Sequence, residues 1–289
     1  MRQIAILSAR GGVGKTTLTA GLAHLAAQEG QAVLVDADIE QAHLELLTAP
    51  TRISEHHFQG GSLAVIDPDA CIACGVCDEV CRYGAIHSDS EAFTVIDYAC
   101  EGCGACVYQC PVEAISVEER QQGIWFHSQT RYGDLFHAHL HPGQDNSSHL
   151  VTLVKQKAGR WALDHGADWL LLDGPRGLAF PAMAAALGAD TLVLVIDPGS
   201  EAVAELGRML SAVRRVGAQA GVVLNRWPEG DEGIRAHCAE QGIVLLGSIP
   251  EDAAVGRAVL AGEPVTIGAS PAADAIRAIW GRIRRPAGR

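Results

Sequence analysis

Ser8-Ala9-Arg10-Gly11-Gly12-Val13-Gly14-Lys15-Thr16-Thr17 follows a short apolar run at residues 4–7 and precedes leucines at 18, 22 and 25. The apolar run predicts a strand buried on both faces, and the leucine spacing predicts a helix, which Gly30 ends. Glycines between a strand and a helix let the loop aim successive backbone N–H groups at one point, and the helix N-terminus adds a partial positive charge there. That pattern predicts a phosphate site. Residues Gly11, Gly12, Val13, Gly14, Lys15, Thr16 and Thr17 form it, with Lys15 reaching β- and γ-phosphates and Thr16 ligating Mg²⁺. A glycine-rich turn with a chance lysine is the plain alternative, and the strand–loop–helix context argues against it.

The same alternation recurs outward from this loop. Apolar runs at 32–35, 169–172, 191–196, 221–224 and 243–247 read as further strands, four of them stopped by a polar residue: Asp36, Asp173, Asp197 and Asn225. Residues 201–216 read as a helix, and Ser270-Pro271 opens a last one with an N-cap and a proline at the first helical position. Uninterrupted apolar strands suit a parallel sheet covered on both faces, and the first helix supplies a right-handed crossover. Only 5% of residues are aromatic, and 289 residues are about two domains' worth.

Between about residues 60 and 118 the helical periodicity stops and cysteines appear. Cys71, Cys74, Gly75, Cys77, Cys81, Ala85 and Ile86 recur 29 residues later as Cys100, Cys103, Gly104, Cys106, Cys110, Ala114 and Ile115. Each copy has the spacing Cys-x2-Cys-x2-Cys-x3-Cys, the bacterial two-cluster ferredoxin run. Three closely spaced thiolates wrap one cubane, and the fourth goes to the other cluster. One 4Fe–4S cluster is therefore expected on Cys71, Cys74, Cys77 and Cys110, and the second on Cys81, Cys100, Cys103 and Cys106. Zinc knuckles, which use paired Cys-x2-Cys, fit this spacing poorly. The expected fold class is α/β: a mostly parallel, doubly wound P-loop sheet, split as 1–59 and 119–289, with a small α+β two-cluster module inserted at 60–118.

With these motifs in place, the chain resembles the MinD/ParA/Mrp-type ATPases, relatives of the nitrogenase iron protein, whose loop reads Lys-Gly-Gly-x-Gly-Lys-Thr-Thr. The resemblance covers residues 1–50 and about 165–285. It implies ATP as the nucleotide, slow hydrolysis, and an ATP-bound homodimer in which the first lysine reaches the partner subunit's nucleotide. Arg10 stands at that position, so the resemblance makes Arg10, Lys15 and Asp38 the catalytic group, with Asp38 positioning water. Asp36 and Asp173 would hold Mg²⁺ with Thr16. Asp173-Gly174-Pro175-Arg176-Gly177 matches the family's Asp-Gly-Pro-Pro-Gly, with Gly177 sensing the γ-phosphate and Arg176 replacing a proline. Asn225 matches the adenine-binding asparagine, and Pro250 would lie near the base. His137-Ala138, Leu140, Gly143, Asn146-Ser147 and Leu150-Val151 look like a segment of the ferredoxin-bearing subfamily. Gln144-Asp145, Ser148 and His149 depart from it.

The resemblance implies that nucleotide state controls electron transfer or metallocluster assembly, with a protein redox partner or a metallocluster client. A cluster carrier or scaffold with structural ferredoxin clusters is one alternative, and a MinD/ParA-like positioning ATPase is another. The net charge of −12 argues against nucleic acid as a partner. No run approaches the roughly 18–20 apolar residues of a membrane span, and the start has no signal-peptide pattern, so the cytoplasm is the expected compartment. Nine cysteines there imply metal rather than disulfides. His137, His139 and His141 would share one face of a strand and could bind metal, but loop or packing roles are commoner. Cys238 reads as a small buried hydrophobe. The last helix reads as a closing core helix through Ile276, Ile279, Trp280 and Ile283, with Arg277, Arg282, Arg284 and Arg285 elsewhere; peripheral membrane binding is its alternative reading.

Overall fold

The computed structural model describes residues 1–39, 42–88, 92–142, 147–199, 201–214, 216–227 and 232–284. Gly143, Gln144, Asp145, Asn146 and Arg285, singled out above, lie outside the described residues. The chain divides into two units, Met1–Glu55 with Trp125–His139 and Ser147–Arg289, and His56–Ile124 with Leu140–Asn146.

The chain runs β1 (Arg2–Ser8), α1 (Lys15–Ala27), β2 (Ala32–Asp36), α2 (Leu44–Thr48) and β3 (Thr51–Ile66), which carries residues of both units. The second unit adds α3 (Val76–Glu79), β4 (Ile86–Ser88), β5 (Phe93–Val95) and α4 (Ala105–Gln109). Next come β6 (Ile115–Thr130), β7 (Gly133–Leu140), α5 (Ser147–Asp164), β8 (Trp169–Arg176), α6 (Phe180–Ala186), β9 (Thr191–Ile196) and α7 (Ala202–Val213). The chain ends β10 (Gln219–Asn225), α8 (Glu232–Glu240), β11 (Val244–Ile249), α9 (Ala253–Leu260) and α10 (Pro271–Ile283).

The large sheet has the order β11-β10-β9-β1-β8-β2-β7-β6-β3. Pairing is parallel at each step from β11 to β7. The six strands expected from apolar runs are β1, β2 and β8–β11. The central residues of β1, β2 and β8–β10 are fully buried, as strands covered on both faces require, whereas the edge strand β11 buries only Leu246 and Ile249. β8 lies between β1 and β2, so α1 crosses over one strand to connect them.

On one side of the sheet, α1 buries Leu18, Leu22 and Leu25 in the same cluster as Ile276, Ile279, Trp280 and Ile283 of α10. Each such side chain contributes about 1.5–3 kcal/mol on burial. Gly21 lets the two helices approach: a Cβ there would lie 3.1 Å from Ile276 Cγ2. Ser270 Oγ caps α10 by accepting from Ala273 N at 3.2 Å. Arg277 donates to the carbonyls of Thr266 and Gly268. The last helix is thus a core element with its arginines at the rim.

In the second unit the 29-residue repeat is visible as geometry. α3 and α4 each start after a left-handed glycine, Gly75 (φ 81°) and Gly104 (φ 72°). Ala85 and Ile86, like Ala114 and Ile115, are buried, and β4 pairs antiparallel with β5.

Candidate functional site

β1 ends at Ser8, and the loop enters α1 through Gly14, whose φ of 96° is open only to glycine without strain. Lys15 is almost fully buried at the helix start. Thr16 Oγ1 donates to Asp173 Oδ2 at 2.6 Å, and Thr19 Oγ1, one turn on, reaches Asp173 Oδ1 at 3.1 Å. Asp173 sits in the second half of β8, in register with Asp36 at the end of β2. Both carboxyls are buried. Burial raises the Asp173 carboxyl to about 6, and burial together with the Asp173 charge pushes Asp36 well above the usual range. Such a pair concentrates negative potential beside a threonine hydroxyl, which is what a hard divalent cation needs. Asp36 also organises the segment after β2: its Oδ1 accepts from Asp38 N at 3.1 Å and its Oδ2 from Leu44 N at 2.9 Å.

A cleft opens on the other side of the loop, bordered by Gly12, Gly14, Thr17, Asn225, Pro250 and Asp252. Asn225 Nδ2 donates to Val13 O at 2.7 Å, and Arg226 donates to Gly12 O at 3.0 Å. The Asp252 side chain caps α9 through Ala254 N and also accepts from Ala272 N in α10. Arg176 lies over the loop, its Cδ 3.6 Å from where a Cβ on Gly11 would be.

Arg10 is held by its own chain. Its Nε lies 2.7 Å from Glu205 Oε2 and its NH2 2.6 Å from Asp197 Oδ1; Arg226 shares Asp197 at 3.0 Å. Glu205 is 1% exposed, whereas the Arg10 side chain is half exposed.

In the second unit, Cys71, Cys74, Cys77 and Cys110 border one cavity, and Cys81, Cys100, Cys103 and Cys106 border another. All eight are free thiols. Backbone N–H groups point at four of the sulfurs in two repeat-related pairs: Ala73 to Cys71 and Gly102 to Cys100, both at 3.4 Å, then Ala85 to Cys81 at 3.2 Å and Ala114 to Cys110 at 3.3 Å. Burial raises the Cys77 and Cys106 thiols above their ordinary value, so a bound cation is what would favour their thiolates. Four sulfurs about each cavity, with N–H groups directed at sulfur, is a donor set that fits an iron–sulfur cluster.

Residues 4–265 match the CobQ/CobB/MinD/ParA nucleotide-binding domain. The chain belongs to that family. An uncharacterized protein of Methanocaldococcus jannaschii is 26% identical over 226 residues, 78% of each chain. The septum site-determining protein MinD of Pyrococcus horikoshii, solved with Mg-ADP, superposes with a TM-score of 0.61 at 19% identity, covering 98% of this chain and 96% of that one. That likeness shows the fold. A ferredoxin of Pyrobaculum islandicum is 43% identical over 53 residues, 18% of this chain and 50% of its own. This MinD/ParA-family chain therefore carries a short ferredoxin-like segment within a nucleotide-binding fold.

Against the fold of this family, four polar residues at the loop escaped sequence reading: Thr19, Asp197 as a partner of arginine, Glu205 and Arg226. Two had a signal. Thr19 follows Thr16 by three residues, one helical turn. Glu205 falls between Ala202, Leu206 and Met209, which are all buried, so an acid on that apolar face needed a partner. Cys238 is buried on α8, as a small hydrophobe would be.

Proposed function

We propose that this chain binds and slowly hydrolyses ATP as a homodimer, and that its nucleotide state controls electron transfer or metallocluster assembly through two 4Fe–4S clusters. The observation that carries the ATPase half is the convergence of Lys15, Thr16, Asp36 and Asp173 at one loop. Lys15 and the loop N–H groups bind the β- and γ-phosphates. Thr16, Asp36 and Asp173 would hold Mg²⁺, directly or through water. Asp38 orients a water for in-line attack on the γ-phosphorus; the bond to the β-phosphate oxygen breaks, and ADP, inorganic phosphate and a proton leave. Asn225 and Pro250 border the cleft that would take the adenine, and an Asn amide offers both a donor and an acceptor to its edge.

The two cysteine quartets support the other half. Cys71, Cys74, Cys77 and Cys110 would hold one cluster, and Cys81, Cys100, Cys103 and Cys106 the other, within a ferredoxin-like domain. The clusters, when bound, supply one-electron transfer. The chain's own part is to furnish thiolates, direct N–H groups at sulfur and limit water. Two clusters on eight thiolates add about −4 to an already acidic chain, so a protein docking partner with a basic face is expected.

The test is anaerobic purification followed by metal analysis and turnover assays. About eight irons and eight labile sulfides per chain are expected. Asp38→Ala should bind MgATP and hydrolyse it far more slowly, whereas Lys15→Ala should lose tight binding. Stoichiometric zinc in place of iron, or wild-type turnover in Asp38→Ala, overturns the corresponding half.

A further inference from the structure

We propose that Glu45, His137 and His139 form a binding site for a divalent transition-metal ion of the zinc class. The inference is independent of the nucleotide and cysteine sites. Alternation along β7 puts His137 and His139 on one face, and α2 brings Glu45 to them. One ligand atom from each residue lies within 4.8 Å of the other two. His141 lies beyond the end of β7 and is not part of the group.

His137 decides the case. It is 1% exposed, and its Nε2 lies 3.0 Å from Ser128 Oγ. Its Nδ1 is buried and has no hydrogen-bond partner among the described residues. In the tautomer that donates Nε2–H to Ser128, Nδ1 presents a bare lone pair toward Glu45 and His139. A buried polar atom left this way calls for a partner. Metal-ligating histidines are fixed in the same manner, by a hydrogen bond at the other ring nitrogen.

The Glu45–His137 spacing fits an ion. His137 Nδ1 is 3.4 Å from Glu45 Oε2. Tetrahedral bonds of about 2.0–2.1 Å place neighbouring ligand atoms roughly 3.3–3.4 Å apart. Two imidazoles and one carboxylate are a known zinc donor set that leaves a coordination position open. The nearby positive charge of Arg52 is compensated: its guanidinium pairs with Glu55 at 3.0 Å and lies over the Phe126 ring. Ser128 is the positioning residue.

The test uses the full-length, tag-free protein as isolated anaerobically, dialysed against buffered free Zn²⁺, with zinc counted by mass spectrometry. Wild type is compared with Glu45→Gln, His139→Gln and Ser128→Ala. All four keep the same nine cysteines, so thiol-bound zinc cancels in the comparison. Wild type should hold one more zinc per chain than Glu45→Gln or His139→Gln, and Ser128→Ala should weaken zinc affinity about 10–100-fold. The zinc absorption edge of that extra ion should show nitrogen and oxygen neighbours. Glu45 and His139 are only partly buried, so their variants should fold, which circular dichroism checks. Equal zinc in wild type and both folded ligand variants, or an edge with sulfur neighbours alone, overturns the site and leaves His137 an ordinary core histidine.

Discussion

Glu205→Gln should tighten the ATP-dependent dimer. On the proposed reading, Arg10 must leave its own Glu205 and Asp197 to reach a partner subunit's phosphates. Leaving is costly because Glu205 is 1% exposed, its Oε1 already lacks a partner among the described residues, and Arg10 is its ion-pair partner. Breaking a fully buried pair costs about 3–5 kcal/mol, and an exposed pair is worth about 0.2–1 kcal/mol. Arg10 is half exposed, so solvent screens the pair and about 1.5 kcal/mol per protomer is a fair figure between those limits. A symmetric dimer releases two arginines, about 3 kcal/mol in all, on the order of 100-fold in dimer Kd. Glutamine in place of Glu205 leaves no buried charge behind. The assay is sedimentation velocity with saturating MgATP in an Asp38→Ala background, where hydrolysis is slow. Glu205→Gln should lower the dimer Kd by roughly that factor, Arg10→Ala should raise it, and Arg10→Lys should recover part of the loss. None should change nucleotide affinity of the monomer much. A dimer Kd unaltered by Glu205→Gln, together with an unaltered ATP-dependent dimer in Arg10→Ala, refutes the reasoning.

Two further outcomes concern stability. Gly133→Ala should cost on the order of 3 kcal/mol, because Gly133 has a φ of 123° and a Cβ there would run into the backbone carbonyl of Ala32 in β2; a thermal melt reads it directly. His24 should make stability fall on acidification: burial first, then Arg277 and Arg131, lower its folded pKa below 6.5, so the unfolded chain binds the proton more readily. The contribution is complete above about pH 6.5 and is lost as the pH drops below it, and His24→Gln should flatten that part of the urea-midpoint profile.

The nucleotide half of the chain was legible because its strands are uninterrupted apolar runs and its loop residues are contiguous. β3, β6 and β7 were not. β3 reads Thr-Arg-Ile-Ser-Glu-His-His-Phe-Gln-Gly-Gly across its first eleven residues, with Phe58 the only one of them that is buried, so neither alternation nor an apolar block marks it. The cysteine runs announced two quartets because the spacing itself forbids each run from closing on one cube. Arg10 was legible as a departure from a motif, but its partners were not: Asp197 and Glu205 lie almost two hundred residues away, and only the pairing of β1 with β9 brings their neighbourhood to the loop. The histidine pair on β7 was visible, whereas Glu45, ninety-two residues before His137, was not.

The stretch after β2 ties these observations together. Asp36 is one buried carboxylate with two oxygens, and each accepts a different backbone N–H, Oδ1 from Asp38 and Oδ2 from Leu44. The first bond fixes the start of the segment that the nucleotide reading assigns to water positioning. The second holds the first residue of α2, and the next residue along that helix is Glu45, facing His137. A backbone shift at Asp38 therefore cannot leave the entry of α2 untouched unless one of the two bonds to Asp36 breaks, and a buried N–H without a partner costs about 1–3 kcal/mol. Because helical backbone moves as a unit over a single turn, Glu45 follows Leu44. The carboxylate that borders the phosphate loop thus also helps to fix where Glu45 stands relative to the histidines, through one hydrogen bond to Leu44 N and the peptide bond that follows it.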